Sequence, residues 1–176
     1  HHIMKELEEE VKNLGLSFEY TKKGNGVVVL KDSGEEEPGH GLLLSAHLDT
    51  LGAMVRSIKA DGKLRFTSVG GFTMNSIEGE YCHIHTRDGK VISGTILNTM
   101  PSVHVYSEAR TQERKEEVME IRLDLDVHSK EEVLAAGIQV GDFLSFDPRV
   151  VFTEDGFIKS RHLDDKAGVA SIMGAL

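Results

Sequence analysis

The chain has 176 residues, 39% of them hydrophobic, enough to bury one substantial core or two smaller ones. Its 20 Lys and Arg against 29 Asp and Glu give a formal net charge of -9, and the basic residues are scattered, which argues against a phosphate-tracking surface and so against nucleic acid as a partner. The single cysteine, Cys82, excludes an internal disulfide, and no apolar run approaches membrane-spanning length, so the expected setting is reducing and cytoplasmic, without a membrane.

Met4, Leu7, Val11 and Leu14 recur three or four apart among Glu and Lys, and Gly15 follows; this predicts an amphipathic surface helix closed by a glycine cap. Residues 26–30 predict a strand. Residues 33–41, with a run of Glu, Pro38 and glycines, predict an exposed loop whose acidic run is a solvated face. Residues 42–46, Leu-Leu-Leu-Ser-Ala, form a continuous apolar run of the length of a strand buried on both faces. Such a strand delivers His47 and Asp49 to its C-terminal end, where open α/β sheets place their binding crevices.

From Met54 the pattern becomes short alternating strands. Asp61-Gly62 and Asp88-Gly89 each separate two of them, a strong hairpin signal. Residues 119–127 alternate Ile121, Leu123, Leu125 and Val127 with Arg122, Asp124 and Asp126, a strand with one wet face. Ser129 opens a short helix with Glu132 placed for a capping box and Gly137 to end it. Residues 141–146 and 150–159, the latter around Asp155-Gly156, add more strand. Residues 70–158 thus read as a β-rich barrel or sandwich inserted into a first domain of residues 1–69, to which residues 159–176 return. The last segment has helical spacing through Leu163, Ala167, Ala170 and Met173 and reaches Leu176 without a cap, so the polypeptide is expected to continue or another segment to pack there.

His47 and Asp49 lie two apart at a strand end and project to one side. An imidazole can bind a metal through one nitrogen while a carboxylate accepts from the other, which fixes the ring; a polar residue at a strand end is the plainer account. Asp164 and Asp165 are adjacent carboxylates that repel unless a cation compensates them, as a carboxylate bridging two metal ions would be; alternatively Asp164 N-caps the following helix, and Lys166 neutralises one of the pair. His162, beside the pair in sequence, is open to a supporting role or to that of a polar strand-end residue. Cys82, His83 and His85 lack a second cluster to complete a zinc site, and His104 and His128 stand alone. Cys82 within a strand reads as packing, not as a nucleophile.

The stretch Ser45-Ala46-His47-Leu48-Asp49-Thr50-Leu51-Gly52-Ala53-Met54-Val55, the Val69-Gly70-Gly71 that ends the following strands, and Ser160-Arg161-His162-Leu163-Asp164-Asp165-Lys166 together resemble the tetrahedral aminopeptidases, co-catalytic metallopeptidases that include glutamyl and deblocking aminopeptidases. The resemblance implies an α/β fold: part of a mixed-sheet zinc-peptidase catalytic domain, phosphorylase/hydrolase-like, with an inserted small β-barrel or PDZ-like domain that mediates dimerisation within a dodecameric shell. It further implies peptide substrates and two divalent ions, zinc or cobalt. In these terms His47 is a metal ligand, Asp49 the catalytic carboxylate that orients it, Asp164 the bridge between the ions, and Asp165 the residue joined to that bridge, often through a cis peptide, with His162 nearby. The paired glutamates that follow in the complete catalytic domain of the family, and its later acidic and histidine ligands, have no counterpart in these residues. The 176-residue polypeptide by itself is therefore expected to be inactive. A related amidohydrolase or deacylase, or a non-catalytic module that binds a peptide by adding a strand at a sheet edge, are the alternatives.

Overall fold

The computed structural model describes residues 2–30 and 41–176. In chain order they form helix α1 (His2–Asn13), strands β1 (Glu19–Tyr20), β2 (Gly26–Val27), β3 (Gly52–Ile58), β4 (Leu64–Val69), β5 (Tyr81–His85), β6 (Val91–Asn98) and β7 (Met119–Leu123), helix α2 (Lys130–Ala135), strands β8 (Phe143–Phe146), β9 (Val151–Phe152) and β10 (Ile158–Lys159), and helix α3 (Leu163–Ala175). Two compact units result, His1–Asp49 with Leu163–Leu176, and Thr50–His162.

The second unit is built on a closed barrel in the order β3-β4-β7-β6-β5-β8, antiparallel throughout. Both expected hairpins form, β3–β4 across Asp61-Gly62 and β5–β6 across Asp88-Gly89, and each glycine has the positive φ such a turn demands, 79° and 84°. Alternation sends Cys82 and Ile84 of β5, Ile96 of β6, Met119, Ile121 and Leu123 of β7, and Leu144 and Phe146 of β8 inward, where they meet Val55, Leu64 and Phe66 in one buried cluster. Strict alternation along β3 would bury Ser57. Instead the β3–β4 register slips between Val55 and Ser57, so Arg56 and Ser57 both face water and Ile58 returns to the core. The capping box at α2 forms as its sequence requires, Ser129 accepting from the Glu132 amide and Glu132 accepting from the Ser129 amide, and Val133 and Ile138 close the cluster.

Strand β7 carries an outward-alternating carboxylate, Glu120, that is nonetheless buried. Lys59 and Lys63 approach it at 2.7 and 2.9 Å, and both also reach Asp61 at 3.3 Å. Burial works to raise the Glu120 carboxyl, but the two ammonium groups outweigh it and hold it below the usual carboxylate range. Where β4 departs from β7 after their single paired position, Leu64 with Ile121, the seam is closed by side chains: Glu116 Oε1 accepts from the Ser68 amide at 2.8 Å and the Ser68 hydroxyl at 2.7 Å, and Arg65 Nη1 donates to the Met119 carbonyl at 2.9 Å.

Several expectations require correction. The barrel begins at β3, not at residue 70, because β3 and β4 are two of its six staves. The strand expected over 119–127 stops at Leu123, and Leu125 is exposed. Residues 150–159 pair only as the separate hairpin β9–β10 around Asp155-Gly156. Of residues 26–30 only Gly26 and Val27 pair, with β1. Residues 42–46 are not a buried strand: no described strand pairs with them, and Leu42 and Leu43 are 88% and 86% exposed. A strand covered on both faces needs neighbours on both edges and layers above and below, and the described residues supply none. The expected loop at 33–41 lies, except for Gly41, outside the described residues.

In the first unit α1 buries Val11 and ends as expected, Gly15 at φ 77° with the Leu16 amide donating to the Val11 carbonyl. The Tyr20 hydroxyl donates to Glu8 at 2.8 Å and ties the β1–β2 hairpin to this helix.

Candidate metal centre

Two segments of the first unit, far apart in sequence, meet at one imidazole. Residues 42–49 arrive without regular structure and present His47 and Asp49; the start of α3 presents Asp164. The backbone at Asp164 (φ -87°, ψ 109°) and Asp165 (φ -117°, ψ 33°) is not helical, and the peptide bond joining them is cis. Asp165 Oδ1 accepts from the Gly168 amide at 3.1 Å, three residues on, which is the position an N-cap side chain serves. The cap is thus Asp165, and the capping role considered for Asp164 falls to its neighbour. Asp164 is left extended, 93% exposed, with its Oδ1 3.1 Å from His47 Nε2.

The other ring nitrogen, His47 Nδ1, lies 3.2 Å from the backbone carbonyl of Asp49 and 3.4 Å from its Oδ1. A carbonyl oxygen can only accept, so a ring protonated on Nδ1 donates to Asp49 and leaves Nε2 able to coordinate an ion. Nε2 faces a carboxylate oxygen at 3.1 Å, a contact that a shared proton or a shared cation satisfies. Two donors on a tetrahedral zinc ion, each about 2.0–2.1 Å from it, stand roughly 3.3 Å apart, so Nε2 and Oδ1 suit adjacent positions on one ion. The imidazole-and-carboxylate donor set matches zinc or cobalt equally. Among the described residues no group of three or more His, Cys, Asp and Glu is placed to hold a metal.

The pairing of His47 with Asp49 was legible from spacing, and its pairing with Asp164 from the family resemblance. Two partners were not. Lys166 Nζ points to the Leu48 carbonyl at 3.5 Å, joining the two segments independently of His47, where sequence had suggested that it neutralises an aspartate. Gly168 gives the Asp165 carboxylate its room; a β-carbon there would lie 2.3 Å from Asp165 Oδ1. A glycine three positions after an Asp at a helix start was the available signal. His162 falls in the other unit, buried, with its amide donating to Ser160 Oγ at 3.2 Å.

The remaining candidates have ordinary partners. Cys82 is fully buried, and burial first, then the nearby Asp124 charge, pushes its thiol up to about 12. His85 Nε2 lies 2.8 Å from Ser145 Oγ, and His128 Nε2 3.0 Å from Asp126. Among the described residues no helix is long and apolar enough to cross a membrane.

Over 131 residues the chain is 60% identical to "Putative aminopeptidase YhfE" of Bacillus subtilis (strain 168), covering 74% of this chain and 38% of that protein. The crystal structure of a TET aminopeptidase from the marine sediment archaeon Thaumarchaeota archaeon SCGC AB-539-E09 superposes with a TM-score of 0.80 at 25% identity, over 96% of this chain and 46% of that one. The Pyrococcus horikoshii TET1 peptidase, described as able to assemble into a tetrahedron or a large octahedral shell, gives a TM-score of 0.77 at 29% identity, over 98% of this chain and 49% of that one. The chain therefore spans less than half the length of these relatives. Residues 24–176 match the family described as M42 glutamyl aminopeptidase, and the chain belongs to that family.

Proposed function

We propose that this chain forms part of a metal-dependent aminopeptidase that removes N-terminal residues from peptides. The observation that carries the reading is the convergence of His47 Nε2 and Asp164 Oδ1 to 3.1 Å, an imidazole and a carboxylate at the spacing of two donors on one ion. His47 and Asp164 would hold the metal, zinc or cobalt. When bound, it supplies a Lewis acid that acidifies a water and polarises the scissile carbonyl. Asp49, with its carbonyl and its carboxylate beside Nδ1, holds the His47 ring turned so that Nε2 is presented. Asp165, engaged as a helix cap, holds the start of α3 so that Asp164 projects. A general base and further ligands are needed beyond these residues, so the 176-residue polypeptide alone is expected to show no turnover.

The family supports an exopeptidase, and the assembly described for the P. horikoshii relative supports a homo-oligomer; we extend both to this protein, in dimers building a dodecamer. The buried lone cysteine supports a cytoplasmic setting. Strand addition to the barrel is disfavoured, since its six staves pair in a closed ring and Glu116 occupies the Ser68 amide at the seam.

The test is release of amino acids from unblocked dipeptides by the full-length enzyme, stripped with a chelator and restored with cobalt or zinc. Metal-restored turnover on free amino termini is the expected result. Turnover confined to N-acylated substrates would assign a deacylase instead, and metal-independent turnover would overturn the reading.

A further inference from the structure

We infer that Lys166 is a positioning residue that clasps the two ligand-bearing segments together before any metal arrives; this rests on the metal-centre reading of His47 and Asp164. The ammonium reaches the carbonyl of Leu48, the residue between His47 and Asp49, at 3.5 Å, while its own backbone follows Asp164 and Asp165. One side chain therefore spans the same gap that the His47–Asp164 contact spans, from the opposite segment and onto a backbone atom that no ligand exchange alters.

The clasp matters because the contacts across that gap otherwise converge on one imidazole: Asp49 and Asp164 lie 3.4 and 3.1 Å from the two ring nitrogens of His47. The two carboxylates repel each other, which works against closure. The segment carrying His47 makes no strand pairing with the described residues that would hold it from elsewhere. A half-buried ammonium on the Leu48 carbonyl ties the two segments and limits the spacing of the two donors, so that binding an ion does not have to order both segments at once. Lysine suits the task as a compact charge on a long stem, and arginine can make the same reach to a carbonyl.

The test is titration of zinc into the chelator-stripped full-length protein by calorimetry, with the melting temperature of the metal-free protein as a parallel readout. Wild type, His47→Ala, Lys166→Met and Lys166→Arg are compared. Lys166→Met is expected to weaken zinc binding about ten-fold, in the range typical for groups that support a metal ligand without touching the ion, with the metal-free melting temperature unchanged, and Lys166→Arg to recover most of the loss. Wild-type binding that is lost in His47→Ala but unchanged in Lys166→Met overturns the clasp alone. So does a Lys166→Met loss that follows a lowered metal-free melting temperature and is not recovered by arginine. A wild type that takes up no zinc, or a His47→Ala protein that binds as wild type does, overturns the metal-centre reading and the clasp with it.

Discussion

Gly168 donates its amide to Asp165 Oδ1 at 3.1 Å, and a β-carbon on Gly168 would stand 2.3 Å from that same oxygen. The cap that frames the acidic pair depends on the absence of a side chain one turn into α3. Gly168→Ala would drive the carboxylate off the cap, a cost of about 1 kcal/mol that offsets the helix-propensity gain of alanine. Gly174 in the same helix has nothing within 4 Å of its β position. Alanine at Gly174 is therefore expected to stabilise by a few tenths of a kcal/mol and alanine at Gly168 not at all, while only the latter weakens zinc binding; urea melts and calorimetry of the two variants decide it.

Glu120 gives the barrel a defined acid sensitivity. Its folded carboxyl titrates below its unfolded value, so its contribution is complete above the unfolded pKa of about 4.3 and disappears as pH falls through the lower, folded value. Glu120→Gln should lower stability near neutral pH by roughly 1–3 kcal/mol and flatten the acid limb of the curve. Urea midpoints taken from about pH 6 to about pH 3 measure this; an acid limb as steep in the variant as in wild type would show that other carboxylates set it.

Gly94 lies where β6 presses on β7. A β-carbon would meet the Arg122 carbonyl at 2.8 Å and Ile121 Cγ2 at 2.9 Å, backbone on one side and a core side chain on the other. Neither can swing away, so Gly94→Ala is expected to cost about 1–3 kcal/mol, read as a lowered thermal midpoint. An unchanged midpoint would mean that the two strands separate without penalty.

Cys82 should serve as a silent reporter. Fully buried, with its thiol pushed up to about 12, it is expected to resist aromatic disulfide reagents at neutral pH while the barrel is folded and to react fully once denaturant unfolds it. Rapid stoichiometric labelling of the native protein would contradict the packing role assigned to it.

The barrel was legible because its signals are local. Asp61-Gly62 and Asp88-Gly89 announce their turns, and Ser129 with Glu132 announces its helix, each within four residues. Its starting point was not, since residues 52–69 alternate as any half-buried hairpin does and only their pairing with β7 and β8 makes them staves. The slip at Arg56, which turns Ser57 to solvent, has no local mark either. At the candidate metal centre, His47 and Asp49 were recoverable from residue type and spacing, and Asp164 from the family resemblance. The split of the acidic pair into one projecting and one capping aspartate had a single mark in the sequence, Gly168, whose significance is steric. The apolar run at 42–46 shows the converse: composition states a preference for burial, and the partners that would satisfy it lie outside what those residues can specify.

His47 and Asp164 are 117 positions apart, and almost everything between them is the barrel unit, which opens at Thr50 and ends at His162. Joining two such points through a disordered connection would cost about 4 kcal/mol of chain entropy, by the logarithmic growth of loop closure with length. A barrel that has already folded replaces that long tether with a few residues at either end.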